Sequence, residues 1–197
     1  TIIISQSGET ADTLAALKEA KKRGSHTLSI VNVVGSSIAN ASDDVIYTWA
    51  GPEIAVATTK GYSTQLSVIY LIAVWAARIL KTMDSDRLEK IFDDICRLPE
   101  LIEKVILSEP KIKEMAKHCG DPKSLFFIGR NIDYAVSLEA SLKLKEISYI
   151  HSEAYAAGEL KHGTISLIEE GRTVIALAAY EGLFEKLLSN VKEVKAR

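Results

Sequence analysis

The chain has 197 residues, 47% of them hydrophobic, so it can bury a sizeable core in one domain or in two small ones. It carries 24 Lys and Arg against 26 Asp and Glu, a net charge of -2, which gives no electrostatic reason to expect nucleic acid or an anionic membrane as partner. Cys96 and Cys119 stand singly, without a metal-ligand spacing, which predicts neither a disulfide framework nor a metal site and suits a reducing cytoplasm.

The first part of the chain alternates apolar runs with helical patterns. Leu14, Leu17 and Ala20 recur at helical spacing and predict a helix that ends at Gly24. Short apolar runs predict strands at 1–4, 27–31 and 45–47, with a short polar helix before the third. Strands that alternate with helices predict a parallel sheet with helices on both faces.

The middle of the chain is predicted to be helical. After a nonperiodic loop from Glu53 to Lys60, a long helix is predicted over 59–81. Its most apolar part, 66–77, is too short to span a bilayer, and we interpret it as a buried helix. A charged amphipathic helix over 84–107 and a further helix from Glu109 to about 118 would form a linker over 83–118.

A second round of strand and helix follows the linker. It is predicted to contain a strand at 124–130, a helix at 134–149, a strand at 173–179 and a last helix from about 183. We therefore predict two three-layer α/β/α units with parallel sheets, 1–82 and 119–197. Both contain fewer strands than a doubly wound unit should, and the chain starts without Met, so we expect it to be part of a longer protein.

The segment after the first strand has the chemistry of a phosphate site. It reads Ser5-Gln6-Ser7-Gly8-Glu9-Thr10, with three hydroxyl residues around one glycine directly before a helix. Backbone N–H groups at the helix amino end and the hydroxyls can converge on an anion. The motif contains no Lys or Arg and matches no nucleotide-binding pattern, which favours a monophosphate ester. The alternative is that Ser7 only caps the helix.

The helix predicted over 134–149 carries a candidate acid–base group. Glu139, Lys143 and Glu146 fall at positions i, i+4 and i+7, so one helix face presents a lysine between two carboxylates. Such a lysine can orient a carboxylate that moves a proton between adjacent carbons, as an aldose–ketose isomerisation requires. The alternative is a solvated surface group of small energetic value. His162 is a further candidate because histidine exchanges protons near neutral pH, although a His before Gly can simply lie near a turn.

Both segments resemble a known family. The Ser5–Thr10 loop is similar to the sugar-phosphate loop of sugar-isomerase domains. The run Leu142–Gly163 closely resembles the second such domain of the glucosamine-6-phosphate synthases, the glutamine:fructose-6-phosphate aminotransferases, and the likeness extends over the whole chain. The resemblance implies a hexose 6-phosphate substrate, with the phosphate held by Ser5, Gln6, Ser7 and Thr10 and the sugar contacted by Val56 and Thr58.

The resemblance also implies a mechanism. Glu146 would move a proton between C1 and C2, supported by Lys143 and Glu139, and His162 would open the sugar ring from the neighbouring subunit of a homodimer. A glutaminase domain elsewhere in the full-length chain would supply ammonia, and fructose 6-phosphate would become glucosamine 6-phosphate without cofactor or metal. The isolated chain is expected to be inactive. Thr164 stands where the family usually has proline.

Two alternatives remain open. A glucosamine-6-phosphate deaminase or a fructosamine-phosphate deglycase on the same scaffold would share the phosphate loop but lack a glutaminase domain. A noncatalytic sugar-phosphate-binding regulator would need neither the Glu139, Lys143 and Glu146 face nor His162, and the sequence contains no basic helix-turn-helix pattern.

Overall fold

The computed structural model describes residues 1–119 and 122–197 of the chain. The chain divides into two compact units, Thr1–Leu107 and Ser108–Arg197. Residues 120 and 121, which belong to the predicted second unit, lie outside the described residues. The predicted alternation of strands and helices is confirmed, and each unit contains a three-stranded parallel sheet. The assignment of 83–118 as a linker stays a prediction.

The first unit is built on a sheet in the order β1-β2-β3. Its strands are β1 (Ile2–Ser5), β2 (Leu28–Val31) and β3 (Asp44–Tyr47). Its helices are α1 (Ala11–Lys22), α2 (Ser37–Ala41), α3 (Lys60–Leu80), α4 (Ser85–Cys96) and α5 (Leu98–Leu107). Leu17 of α1 packs with Ile3, Val31 and Ile38 in the core, so the apolar face of α1 binds the sheet that the β-branched runs form.

The second unit is built on a sheet in the order β5-β4-β6. Its elements are α6 (Glu109–Lys117), β4 (Ser124–Gly129), α7 (Ile132–Ser148), β5 (His151–Ala156), β6 (Thr173–Ala176) and α8 (Phe184–Lys195). Short 3-10 turns lie at Leu160–His162, Thr164–Leu167 and Glu181–Leu183. Phe126 and Ile128 of the central strand pack with Leu160 and Leu187 in the core.

The structure departs from the prediction in one helix and in one strand. The single helix predicted over 84–107 is two helices, α4 and α5, separated at Arg97. Pro99 explains the break, because proline has no N–H to donate to the carbonyl of Ile95, which interrupts the helical hydrogen bonds there. Strand β5 was not predicted at all, because its sequence HSEAYA is polar and lacks a β-branched run. Pairing with β4 on one edge makes it a strand.

The long helix α3 is confirmed, but its burial is not. Trp75 is 63% exposed, Ile79 57% and Leu80 70%. Within α3, whose residues the structure describes in full, Gly61 alone is buried. The predicted interpretation as a buried helix is therefore wrong for this chain, since no described element covers that side. The whole helix, with 21 residues, is long and apolar enough to cross a membrane by length and composition, although the apolar stretch 66–77 alone was predicted to be too short. Core helices of soluble proteins meet the same criterion.

Asp43 links Thr27, the residue before β2, to the helix α1. Its carboxylate accepts hydrogen bonds from the backbone N–H and the hydroxyl of Thr27, at 2.8 and 2.7 Å, and pairs with Lys21 Nζ at 2.8 Å. The ion pair with Lys21 and the bonds from Thr27 hold the pKa of Asp43 well below its usual range. Because the folded-state pKa is depressed, this stabilisation is complete above about pH 4 and is lost as the pH falls further.

We expect Asp43→Asn to reduce the dependence of stability on pH. The wild type should lose part of its free energy of unfolding as the pH falls from about 4 to about 2, and the variant should lose less over that interval while being less stable near pH 7. Urea unfolding at a series of pH values measures both effects. Asp86→Asn, which changes an exposed carboxylate on α4, is the control and should leave the pH profile as in the wild type.

Candidate functional site

The segment between β1 and α1 is a turn held by its own hydroxyls. Ser5 Oγ accepts a hydrogen bond from Gly8 N at 3.0 Å and lies 3.3 Å from Thr10 Oγ1. Ser7 Oγ accepts from Glu9 N at 3.2 Å. The predicted hydroxyl residues therefore share one compact loop at the carboxyl end of β1.

The amino end of α1 carries no side-chain cap in the described structure. Its N-cap residue is Thr10, whose hydroxyl makes no capping bond, and Ser7 bonds to Glu9 outside the helix. Ser7 is therefore not the helix cap that the alternative interpretation required. The N–H groups of the first turn and the positive end of the helix dipole are open to an anion.

The turn between β2 and α2 packs against this loop, a contact that the sequence did not predict. Gly8 has φ +69°, and a Cβ there would lie 2.0 Å from the hydroxyl oxygen of Ser36, which is 3% exposed. Gly8 O accepts from Ile38 N at 2.9 Å. Glu9 accepts from Ser37 N at 2.7 Å, and the contact with Ser37 lowers the pKa of Glu9.

The nonperiodic loop before α3 meets the phosphate-type loop at Gly61. A Cβ on Gly61 would lie 2.9 Å from Thr58 Cγ2, 3.0 Å from Glu53 Oε1 and 3.2 Å from Gln6 Cγ. The structure thus brings Thr58 and Gln6, both predicted substrate residues, to one place. Val56 is 96% exposed, and its predicted contact with a sugar stays a prediction.

The predicted acid–base face forms on α7. Lys143 Nζ lies 2.5 Å from Glu146 Oε2 and 3.4 Å from Glu139 Oε1. The side chains of Lys143, Glu139 and Glu146 are 20, 23 and 29% exposed, and Glu146 taken as a whole residue is exposed, so the group lies at the surface with part of its area covered. Burial lowers the pKa of Lys143, but the hydrogen bond to Glu146 and the two carboxylate charges outweigh it and raise that pKa above its ordinary value.

The opposite face of α7 fixes the direction of this group. Ser137 and Ser141 are buried there, and Ser141 Oγ lies 3.0 Å from Ser152 Oγ on β5. Ser152 Oγ also donates to the carbonyl of Ser141 at 2.9 Å. Small hydroxyl residues allow the helix to pack closely on the strand, so the charged face points away from the sheet.

His162 lies in a 3-10 turn that follows β5. It ends a 3-10 turn, its N–H donates to Glu159 O at 3.0 Å, and its side chain is exposed. Neighbouring Leu160 is 2% exposed and anchors the turn in the core. In the part of the chain that the structure describes, no hydrogen bond or ion pair joins the imidazole to Lys143, Glu139 or Glu146, and the role of His162 stays a prediction.

No three or more His, Cys, Asp or Glu side chains of the described residues are grouped so that they could hold a metal ion. Both cysteines, Cys96 and Cys119, are free thiols.

Comparison with known proteins identifies the fold family. The SIS domain family matches residues 1–75 and 120–197. This chain belongs to the SIS domain family. Over 197 residues it is 58% identical to a glutamine–fructose-6-phosphate aminotransferase (isomerizing) from Caldanaerobacter subterraneus subsp. tengcongensis, covering 100% of this chain and 32% of that protein. The chain therefore spans about a third of the length of that curated relative.

Solved structures agree with this assignment. The C-terminal domain of a glucosamine-fructose-6-phosphate aminotransferase from Francisella tularensis superposes with TM-score 0.95 at 37% identity, covering 100% of this chain and 55% of that one. A glucosamine-6-phosphate deaminase from Thermotoga maritima superposes with TM-score 0.74 at 24% identity over 99% of this chain and 57% of that one, a likeness of fold alone. The predicted three-layer SIS fold and the predicted resemblance are confirmed.

We expect Gly8→Ala to disrupt the SIS phosphate-type loop. The variant combines a left-handed backbone, which costs an alanine about 1 kcal/mol, with a collision against buried Ser36 that should add about 1–3 kcal/mol. Urea unfolding measures the change in the free energy of unfolding. Gly24→Ala is the matched control, because Gly24 has φ +78° with nothing within 4 Å of the added methyl group. Equal losses in the two variants would contradict the contact with Ser36.

Proposed function

We propose that the complete protein is a glutamine–fructose-6-phosphate aminotransferase and that this chain is part of its sugar-phosphate isomerase region. The observation that carries the proposal is the 58% identity across the whole chain to a protein of that name. The charged face of α7 supports it, because a sugar-phosphate-binding module without catalysis needs no lysine between two carboxylates. The likeness to the deaminase is far weaker, at 24% identity.

In this proposal the Ser5–Thr10 loop binds the phosphate of fructose 6-phosphate. The open amino end of α1 provides N–H donors and a positive dipole, and the hydroxyls of Ser5, Ser7 and Thr10 add hydrogen bonds. Gln6 also binds this phosphate. Val56 and Thr58 contact the sugar carbons. A loop without lysine or arginine binds a monophosphate mainly through directed hydrogen bonds, which suits reversible binding of a small substrate.

The chemical step is a proton transfer between neighbouring carbons. Ammonia, released from glutamine by a glutaminase domain outside this chain, condenses with the C2 carbonyl of fructose 6-phosphate and expels water. The Glu146 carboxylate then removes a proton from C1 of the C2 imine, which gives an enolamine, and returns a proton to C2 while the C1 hydroxyl loses its own proton, so that C2 carries the amine and C1 becomes the aldehyde of glucosamine 6-phosphate. The two carbons exchange oxidation level, and no external oxidant or reductant is consumed.

Lys143 and Glu139 orient the base. The 2.5 Å contact with Lys143 fixes the Glu146 carboxylate, and the raised pKa keeps Lys143 charged at neutral pH. Glu139 pairs with the same ammonium group from one turn earlier. His162 would open the ring of the sugar by moving a proton between the ring oxygen and the anomeric hydroxyl, and its exposed position suits a residue that acts in the neighbouring subunit of a homodimer.

A cytoplasmic homodimer is part of the proposal, and the isolated chain is proposed to be inactive. Whether the gene also encodes a glutaminase domain distinguishes this function from a deaminase or deglycase on the same fold. If the gene encodes none, the deaminase or deglycase reading replaces the one proposed.

We expect Ser7→Ala in the full-length protein to weaken sugar-phosphate binding. Loss of one hydrogen bond to a charged ligand corresponds to about 10- to 100-fold in the dissociation constant. Calorimetric titration with sorbitol 6-phosphate, which has no carbonyl and cannot be isomerised, measures it, with inorganic phosphate titrated alongside. Ser67→Ala is the control, since Ser67 Oγ bonds to Ser63 O within α3. Unchanged affinity in Ser7→Ala would remove this serine from the site.

We expect Glu146→Gln to slow turnover without weakening binding. Removing a general base should reduce kcat about 100- to 10,000-fold, while the affinity for sorbitol 6-phosphate stays near that of the wild type. Steady-state assays of glucosamine 6-phosphate formation give kcat. Glu114→Gln, which breaks an exposed 2.8 Å ion pair with Lys117, is the matched control. Normal turnover in Glu146→Gln would rule out the assigned role.

A further inference from the structure

The amino end of α3 is filled by a carboxylate of the chain itself. Glu53 Oε1 accepts hydrogen bonds from Gly61 N at 2.7 Å and from Thr59 N at 3.3 Å. Glu53 is half-buried and lies six to eight residues before the N–H groups that it binds. This spacing differs from a local capping box, so sequence patterns did not reveal it.

The two helix amino ends of this region therefore differ. The end of α1 carries no side-chain cap, whereas the end of α3 holds the negative charge of Glu53. A carboxylate at a helix amino end neutralises the dipole and occupies the donors that an incoming anion would need. The phosphate of a substrate is thereby left with the Ser5–Thr10 loop.

Glu53 also lies at the contact between the two substrate loops. The three groups that crowd Gly61 are Glu53 Oε1, Thr58 Cγ2 and Gln6 Cγ, all within 3.2 Å of a Cβ placed there. A hydrogen-bonded Glu53 closes the loop back on the start of α3, with Thr58 inside the closed segment. These hydrogen bonds tie the segment to the start of α3, next to Gln6.

Asn32, directly after β2, anchors the start of the same segment. Its amide donates to Gly51 O at 2.7 Å and accepts from Ala50 N at 2.9 Å and Thr48 Oγ1 at 3.0 Å. Its backbone N–H donates to Gln6 O at 3.1 Å. The segment from Thr48 to Gly61 is thus anchored at both ends, by the Asn32 side chain directly after β2 and by the hydrogen bonds of Glu53 to the start of α3.

We propose that Glu53 is a positioning residue of the sugar-phosphate site: by binding the amino end of α3 it holds Thr58 beside Gln6, so that the sugar is bound as well as its phosphate. The proposal rests on the proposed function, in which these two residues contact one hexose 6-phosphate. Glu53 itself contacts backbone N–H groups and acts through the loop that it closes.

The test compares two ligands in the full-length protein. In Glu53→Ala the dissociation constant for sorbitol 6-phosphate should rise about tenfold or more, as expected for loss of a half-buried hydrogen-bonded anchor, while that for inorganic phosphate changes by less than about threefold. Glu53→Gln keeps an acceptor oxygen at the same reach and should restore most of the affinity for sorbitol 6-phosphate. Calorimetric titration of both ligands into the wild type and the two variants measures the six dissociation constants.

Asp84→Ala is the matched control for loss of a helix cap. Asp84 accepts from Arg87 N at 2.8 Å at the start of α4, so its removal should lower the unfolding midpoint as Glu53→Ala does, with both dissociation constants unchanged. If Glu53→Ala does not fold, Glu53→Asp, which withdraws the carboxylate from Gly61 N, should show the same loss of sorbitol 6-phosphate selectivity.

Two results would overturn the positioning role. One is a dissociation constant for sorbitol 6-phosphate in the Glu53 variants that equals the wild-type value. The other is an equal weakening of both ligands, which is the result of general loss of structure. A wild-type protein that binds inorganic phosphate but shows no preference for sorbitol 6-phosphate would instead refute the proposed function, because the sugar contacts would then be absent from the start.

Discussion

Backbone N–H groups at the carboxyl edge of a parallel sheet are the constraint around which the first unit is organised. Strand β1 turns within five residues into α1, which leaves the first N–H groups of that helix without intrahelical partners. The turn is possible because Gly8 accepts a left-handed conformation directly above buried Ser36. The neighbouring helix α3 presents the same kind of end, and there the chain supplies its own carboxylate from Glu53. One helix end is thus open and the other closed.

The second unit holds charged side chains in a defined direction on a helix. A lysine between two carboxylates can adopt many geometries when it is solvated. Here α7 packs on β5 through the hydrogen bonds between Ser141 and Ser152, and this packing turns the opposite, charged face of α7 away from the sheet. The ion pairs of Lys143 then lock the two carboxylates relative to one another.

The fold alone does not determine the chemistry of this family. A deaminase with 24% identity shares the architecture, as does an aminotransferase domain with 37% identity, and both superpose over nearly the whole chain. What distinguishes members of a shared fold is the set of side chains placed at the strand ends and on the exposed helix faces. In this chain we propose that those are the hydroxyl loop after β1 and the charged face of α7.

The sequence by itself determined the elements whose signals are local. The β-branched runs, the helical spacing of Leu14 and Leu17, and the i, i+4, i+7 placement of Glu139, Lys143 and Glu146 all depend on residues near one another in the chain, and the structure contains these elements. Only the tertiary structure decided that HSEAYA is a strand, that α3 is exposed, and that Glu53 closes a helix six to eight residues away. Each of these depends on which surface another part of the chain covers, and local patterns do not contain that information.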